Sequence, residues 1–336
     1  MLDSISRRGL VAAAALSLAA GCSGTSAPNV PNQSLVPSVR QVPPGYRALP
    51  GPAVAGPLIA PIVPHAVHAP RGWPNALLRE VLFVADSSSG VLLYNPRIIN
   101  ASPKGSITTG VNIPAGLAID NKGKLYVTND GNNSITVYPH GHTSPSLTIT
   151  TGVTGPYGVT VDSKLNVFVS MLGNNTVVGY KAGQTSPFET INFSTLGQPV
   201  GVGVDALDNV WVACDSTSAV FEIPAGSTTP KNANLTGLNG PISVSFGKSD
   251  VMYVSNFASS DVQVYTYGTT TPKMTITSGI EAFGPTLGAF VHTGAYFQSN
   301  QSDNVVGYKP GATSPFSTLK GASTPLGIAG WPEIVK

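Results

Sequence analysis

Six short segments rich in Asp, Asn and Ser recur along the chain, each after a run of apolar residues. Their oxygens are candidate ligands for a hard cation such as Ca²⁺, which prefers oxygen donors from several directions. The same residue types fill tight turns, because their side chains bond to nearby backbone groups. None of the six segments contains Glu. The pattern predicts either a cation site or ordinary turns at Asp86, Asn129, Asp130, Asp215, Asn256 and Asn300.

Aromatic residues next to these segments suggest a second kind of site. Tyr157, Phe257 and Phe283 would add an aromatic surface for a sugar, peptide or glycan, if their rings are exposed. Single exposed aromatic residues are also common on surfaces that bind nothing. Tyr157 is therefore a candidate binding residue together with the six polar positions.

Motifs for catalysis are scarce. His140 and His142 form the one close histidine pair, and a pair without a third ligand is a weak zinc signal. The sequence contains no Gly-x-Ser-x-Gly elbow, phosphate-binding P-loop or Cys-x-x-Cys pair. Cys214 lies in an apolar run and is predicted to be a buried thiol. No catalytic residue is predicted.

The N-terminus predicts export. Two arginines precede the uncharged run 9–20, and small residues lead to Cys22, as in a signal peptide too short to span a membrane. The segment Leu18–Cys22 resembles a bacterial lipobox, in which the cysteine is lipidated and becomes the first mature residue. This resemblance implies a lipid at Cys22. Because Ser23 rather than Asp follows, it also implies sorting to the outer membrane, facing either the periplasm or the exterior.

An internal repeat sets the positions of the polar segments. Five copies of a Tyr-x-x-Gly-x-Thr-Ser-Pro pattern have glycines 42 or 43 residues apart, and a longer variant at 94–103 makes six. Each repeat also holds four short apolar or alternating runs of strand length. Four strands in about 42 residues are typical of a β-propeller blade. The five copies are 138–145, 180–187, 223–230, 265–272 and 308–315.

The phase of the repeats predicts how the ring closes. The first strand-length run of the domain, at Val81, corresponds to the second strand of a blade. The last run, at Leu326, corresponds to the first strand of a blade. The C-terminal strand can therefore complete the N-terminal blade and leave no open edge. The predicted fold is an all-β, six-bladed propeller with four-stranded blades.

Two repeat segments also resemble known propeller families. Leu125–Asn129 resembles the core of YVTN-type repeats, and Gly155–Asp162 is similar to the start of an NHL-type blade. The resemblance covers 81–330 and implies a propeller whose relatives include binding proteins, scaffolds, lactonases and lyases. Gluconolactonase-type propellers hold a metal with Asp, Asn and Glu, and Asn209–Val212 resembles the repeat of streptogramin lyases.

Composition narrows the choice of partner. The chain has 18 Lys and Arg against 16 Asp and Glu, a net charge of +2, which argues against a nucleic-acid partner. Only 10% of the 336 residues are charged, whereas 29 are Pro and 37 are Gly. Many of the prolines fall in 23–80, where they favour an extended, flexible tether. We therefore divide the chain into a signal peptide (1–22), a tether (23–80) and a propeller (81–336).

Together these features predict a lipid-anchored, non-enzymatic propeller of the bacterial cell envelope. Its membrane contact would be through the lipid, and its loops would bind an envelope protein or a glycan. The alternative is a metal-dependent lactonase or lyase with a site at the mouth of the channel. A third alternative is a structural component of a surface layer.

Overall fold

The computed structural model describes residues 80–248, 251–281, 285–291, 293–300 and 303–331. These residues form 24 strands arranged in six antiparallel sheets of four strands. The predicted all-β, six-bladed fold with four-stranded blades is confirmed. No helix in the described ranges is long and apolar enough to cross a membrane. The predicted signal peptide and nearly all of the predicted tether lie outside the described residues.

Blades 1 to 3 contain the first eleven strands and the last one. Blade 1 contains β1 (Val81–Asp86), β2 (Gly90–Tyr94), β3 (Gly105–Ile107) and β24 (Pro325–Trp331). Blade 2 contains β4 (Pro114–Ile119), β5 (Leu125–Asn129), β6 (Ser134–Tyr138) and β7 (Leu147–Ile149). Blade 3 contains β8 (Pro156–Val161), β9 (Val167–Met171), β10 (Thr176–Tyr180) and β11 (Pro187–Asn192).

Blades 4 to 6 follow the same order. Blade 4 contains β12 (Pro199–Val204), β13 (Val210–Cys214), β14 (Ala219–Ile223) and β15 (Lys231–Asn232). Blade 5 contains β16 (Pro241–Phe246), β17 (Met252–Asn256), β18 (Asp261–Tyr265) and β19 (Met274–Ile276). Blade 6 contains β20 (Pro285–Phe290), β21 (Tyr296–Asn300), β22 (Asn304–Tyr308) and β23 (Ser317–Leu319).

The strands of each blade run from the centre outward as inner, second, third and outer strands. The inner strands β4, β8, β12, β16, β20 and β24 contact one another in sequence around the ring, including β24 with β4. Because neighbouring strands are antiparallel, alternate turns lie on the same face of the disc. The turn face carries the inner-to-second and third-to-outer turns. The loop face carries the second-to-third turns and the connections between blades.

The ring closes as the sequence predicts. β24 pairs antiparallel with β1, with Val81 opposite Trp331 and Phe83 opposite Ala329. The edge that β1 would otherwise leave open is thereby covered, which removes a site for intermolecular strand pairing.

The repeated Tyr and Pro of the sequence pattern pack against the connection that precedes their own blade. The hydroxyl of Tyr138 donates to the carbonyl of Thr109, and that of Tyr180 donates to the carbonyl of Thr151. Pro145 lies beside Gly110 of the same connection. Burial raises the pKa of Tyr180 to about 12, so it remains a hydrogen-bond donor at neutral pH. These contacts explain why the two residue types recur.

Neighbouring inner strands approach closely at glycine positions. A Cβ on Gly158 would lie 2.7 Å from the carbonyl oxygen of Val200 in the next blade. The amide of Gly158 donates to Ser170 Oγ, and that hydroxyl donates to the same Val200 carbonyl. Thr128 bridges blades 2 and 3 in the same way. These contacts hold adjacent blades together near the centre.

Candidate functional site

Asp86 ties the loop-face turn of blade 1 to the C-terminal strand. Its Oδ1 accepts from Ser88 and Ser89, and its Oδ2 accepts from the amides of Ser323 and Thr324. Burial of the carboxylate opposes ionisation, but the hydrogen bonds from Thr324, Ser88 and Ser323 outweigh it, so the pKa of Asp86 is lowered. Asp86 is therefore ionised and fully buried, and its carboxylate is surrounded by hydrogen-bond donors from neighbouring residues.

The three asparagine candidates make similar connections in their own blades. Asn129 Oδ1 accepts from the amide of Asn112 at 3.0 Å, and its Nδ2 donates to Thr136. Asn256 Oδ1 accepts from the amide of Asn239 at 3.2 Å. Asn300 Nδ2 donates to the Gly279 carbonyl at 2.8 Å. All three asparagines are fully buried and join a second-to-third turn to the preceding connection.

Asp130 and Asp215 follow the second strands of blades 2 and 4 and are also buried. Each lies beside a glycine of the next connection. A Cβ on Gly155 would be 3.8 Å from Asp130 Oδ1, and one on Gly240 would be 3.4 Å from Asp215 Oδ1. Blade 3 separates the two carboxylates, and the corresponding residue of blade 3 is Leu172. The two acids therefore belong to separate inter-blade contacts.

The hydrogen bonds of Asp86, Asn129 and Asn256 do not direct their oxygens toward a shared cation. Asp86, Asn129 and Asn256 direct their oxygens at amides of their own blade or of the connection that leads into it, and none of these bonds joins two of the candidates. Among the described residues, no group of three His, Cys, Asp or Glu side chains could hold a metal ion. The turn interpretation of this pattern therefore has the better structural support.

The aromatic residues of the loop face are buried rather than exposed. Tyr157 and Phe257 pack with Ala115, Val200 and Ile242 in an apolar cluster that we call the plug, to which Leu326 also belongs. Five of the plug residues are the second residues of their inner strands. The expectation of an exposed aromatic surface is wrong at Tyr157 and Phe257, because both rings fill the loop-face end of the channel. Phe283 lies outside the described residues.

Below the plug, the inner strands surround a cavity of about 790 Å³, which includes space open to solvent. Its wall is made of the middle and turn-face parts of the inner strands, with hydroxyls from Thr160, Ser243 and Ser245. The inner strands are sheet edges, so their free backbone groups also face the channel. No charged side chain is among the described residues that form this wall. The described part of the channel wall therefore offers hydrogen-bonding groups and no charged side chain that could act as a general acid or base.

A buried polar cluster lies beside this channel between blades 5 and 6. Ser255 Oγ donates to Gln298 Oε1 at 2.6 Å, and Tyr296 Oη donates to the same oxygen. Blades 2 and 3 have Val127 and Val169 at the position of Gln298. Burial raises the pKa of Tyr296, so its hydroxyl stays protonated. This cluster was not predicted from the sequence, although the Gln that replaces Val in one repeat could have indicated it.

Other polar residues lie on the turn face. Asp120, Asp162 and Asp205 directly follow inner strands, and their carboxylates accept hydrogen bonds from amides of the next turn, which is a structural role. His140 packs on Trp331 with ring centroids 4.9 Å apart. Burial lowers the pKa of His140, although a hydrogen bond at Gly123 opposes the shift.

Only one of the two cysteines lies within the described residues. Cys214 is fully buried and free, as predicted, and burial raises the pKa of its thiol. It is therefore a poor nucleophile. Cys22 lies outside the described residues, and its lipidation stays a prediction.

No protein-family model matches the chain, and no curated protein matches it. Many solved structures share the fold. A chain in the crystal structure of a nidogen/laminin complex is similar with a TM-score of 0.62 and 14% identity, over 75% of this chain and 98% of that chain. A Bacteroides caccae protein of unknown function is similar with a TM-score of 0.59 and 12% identity, over 76% of this chain and 100% of that one.

Virginiamycin B lyase from Staphylococcus aureus is also similar, with a TM-score of 0.55 and 11% identity over 73% of this chain and 83% of the lyase chain. At these identities the similarities show the propeller fold and do not carry a function.

Proposed function

We propose that this protein is a lipid-anchored propeller of the bacterial cell envelope. Its loop face would bind an envelope protein or a glycan, without catalysis. In this proposal Cys22 carries the lipid, the Pro-rich segment 23–80 links it to the propeller, and outer-membrane sorting follows from Ser23. The resemblance of the N-terminus to a lipobox supports the anchor.

The plug is the observation that carries the binding role. It closes the loop-face end of the channel with buried apolar side chains, so this face presents a broad surface rather than a deep pocket. Small-molecule sites are usually concave, whereas macromolecular partners use broad surfaces. The hydrogen bonds of Asp86, Asn129 and Asn256 fix the turns around the plug. The nidogen/laminin structure offers a precedent for a similar propeller within a protein complex.

Site-specific photo-crosslinking in cells tests this role. A photoreactive residue is placed at exposed loop-face positions in three blades, Asn132, Asn174 and Ser259, and at the exposed turn-face controls Ala182 and Ala225. We expect one discrete adduct shared by the loop-face positions and absent from the controls. Equal adducts from both faces, or none from the loop face, would contradict the proposal.

The alternative of a metal-dependent lactonase or lyase is tested on the purified protein. The channel wall has no described acid or base, and the described acids do not form a metal cluster. We expect no turnover of a γ-lactone or a cyclic depsipeptide, with or without Ca²⁺. Saturable turnover that tracks the folded protein would replace the binding proposal with an enzymatic one.

A further inference from the structure

Basic side chains are confined almost entirely to one face of the disc. Of the eleven Lys and Arg within the described ranges, ten lie in or next to the turns of the turn face, and only Lys320 follows an outer strand on the loop face. All eleven are exposed. The ten are Arg97, Lys104, Lys122, Lys124, Lys164, Lys181, Lys231, Lys248, Lys273 and Lys309.

Charge is also distributed unevenly around the turn face. Among the described residues, blades 5, 6, 1 and 2 carry seven of these cations but two carboxylates there, the buried Asp120 and the buried Glu80, which forms an ion pair with Arg97. Blades 3 and 4 carry three cations and five carboxylates, which include Asp208 beside Lys164 at 3.8 Å and Glu222 opposite Lys231. Blades 5, 6, 1 and 2 are consecutive in the ring. We call their turn-face surface the basic arc.

The most exposed large apolar side chains lie at the same face. Ile98 and Ile99 are 45% and 61% exposed in the third-to-outer turn of blade 1, and Tyr267 is 42% exposed in the corresponding turn of blade 5. Both turns belong to the basic arc. Leu207 and Phe188 lie at the turn-face ends of blades 4 and 3. Lysines interspersed with protruding apolar residues are typical of surfaces that bind lipid bilayers.

The N-terminal segment joins the propeller within the same arc. β1 begins at Val81, opposite Trp331, and both residues lie at the turn-face end of blade 1. The chain therefore enters the propeller at the turn-face end of blade 1, within the basic arc. A lipid on this segment would be attached on the side of the disc that carries the cations.

We propose that the basic arc binds the surface of a membrane that contains anionic lipids, so that the turn face lies toward the bilayer and the loop face away from it. Lysine ammonium groups would contact lipid phosphates, while Ile98, Ile99 and Tyr267 would enter the headgroup region. The apolar residues favour a membrane over a nucleic acid or a soluble polyanion, for which protruding isoleucines offer no contact. The binding does not require the lipid at Cys22.

Vesicle binding by the full chain with Cys22→Ser tests the proposal without a covalent lipid. Binding to vesicles of phosphatidylglycerol and phosphatidylcholine is compared with binding to phosphatidylcholine alone, so that the difference reports attraction to the anionic lipid. We expect stronger binding to the anionic vesicles, weakened by salt.

Two charge variants with the same net charge locate the contact. The arc variant replaces Lys104, Lys124, Lys273 and Lys309 by Gln, and the control variant replaces Lys164, Lys181, Lys231 and Lys320 by Gln. Near-ultraviolet circular dichroism verifies that both are folded. We expect the arc variant to lose roughly tenfold or more of the anionic-vesicle affinity, and the control to stay within about twofold of the parent.

Three results would overturn the proposal. Equal losses in both variants would mean that net charge alone governs binding, and no preference for anionic vesicles would mean that the arc does not bind lipid. Binding to heparin or DNA that exceeds vesicle binding would assign the arc to a soluble polyanion. Because Cys22 is replaced throughout, none of these results bears on lipidation, which is tested separately by fatty-acid labelling of the parent chain.

Discussion

At the scale of single residues, Asp86 is a structural anion. Its carboxylate accepts amides from its own turn and from the segment that leads into β24, so it helps to close the ring. In an Asn side chain at this position, the amide oxygen could accept from the donors of one segment. The amide N–H groups would then face the donors of the other segment. A buried donor without an acceptor is costly.

We therefore expect Asp86→Asn to lower the free energy of unfolding by about 1–3 kcal/mol at pH 7. The control is Asp303→Asn, at an exposed residue of blade 6, which should change it by less than about 0.5 kcal/mol. Urea unfolding measures both. Equal effects of the two substitutions would contradict the role of Asp86.

The lowered pKa of Asp86 also predicts a pH dependence. A carboxyl group with a lowered pKa in the folded state stabilises the fold above its unfolded pKa, near 3.8, and this stabilisation is lost as the pH falls through the folded value. The difference between the parent and Asp86→Asn should therefore be constant from pH 7 to pH 5 and shrink below pH 4. A difference that stays constant down to pH 2 would refute this assignment. Unfolding curves at each pH provide the measurement.

The sequence predicted residue types at the candidate site better than it predicted their exposure. Asp86, Asn129 and Asn256 occur at the predicted turns, but only the structure shows that their oxygens are taken by amides. Tyr157 was misjudged because the glycine and proline around it suggest a loop, whereas it is the second residue of β8 and points into the plug. Burial at the centre of a ring depends on all six repeats together.

At the scale of secondary-structure elements, the spacing of the inner strands depends on glycine. Gly158 leaves no room for a side chain, because a Cβ would lie 2.7 Å from the Val200 carbonyl oxygen and 2.9 Å from the Val202 nitrogen. Both atoms are backbone atoms of the next inner strand and cannot rotate away. Blades 3 and 4 would have to separate to accommodate even a methyl group.

We expect Gly158→Ala to destabilise the protein by about 2 kcal/mol or more. The matched control is Gly226→Ala, at a turn glycine with φ +75° and no atom near its Cβ, where the cost is the backbone conformation alone, about 1 kcal/mol. Thermal unfolding of the two variants compares the two costs. A smaller effect at Gly158 than at Gly226 would show that the inner strands can move apart.

Closure of the ring also depends on a single strand. β24 supplies the inner strand of blade 1 from the far end of the chain. The sequence predicted this closure because the first and last repeats are out of phase by one strand. The sequence did not predict the two-residue outer strand of blade 4, whose repeat has Ile223 where the others have Tyr.

A chain that ends at Ser323 should therefore lose cooperative unfolding or self-associate, because β1 becomes an open edge. A chain that ends at Trp331 keeps β24 and should retain the parent melting temperature to within about 2 °C. Calorimetry and size-exclusion chromatography test the pair. A monomeric, cooperatively folded chain ending at Ser323 would show that closure by β24 is dispensable.

At the scale of the whole molecule, the lack of a metal-binding group among the described His, Cys, Asp and Glu side chains predicts that chelators leave the stability unchanged. The oxygens of Asp86, Asn129 and Asn256 accept hydrogen bonds from amides of their own blade or of the connection that leads into it, so a divalent cation would gain little at these three positions. We expect EDTA and millimolar Ca²⁺ to leave the melting temperature unchanged to within about 1 °C, since only a ligand of the native state raises it. A drop of several degrees on chelation, with one equivalent of bound metal, would revive the cation site.

The two faces of the disc differ in a way that net charge conceals. A balance of 18 basic and 16 acidic residues argued against a nucleic-acid partner, yet the fold places ten described cations on one face. The repeat explains this segregation, because residues at equivalent turns of successive blades reach the same face. Net charge carries no information about such an arrangement, and the blade order was needed to see it.

This segregation makes the orientation of the protein measurable by thiol labelling. Cys214 is buried, so a single introduced cysteine supplies the reactive thiol when Cys22 is replaced by Ser. We expect anionic vesicles to slow maleimide labelling of Ile99→Cys in the basic arc by at least roughly fivefold, since membrane contact excludes reagent. Labelling of Asn174→Cys on the loop face should be unaffected. Equal protection of both thiols would indicate aggregation on the vesicle, and equal labelling would mean that the turn face does not meet the bilayer.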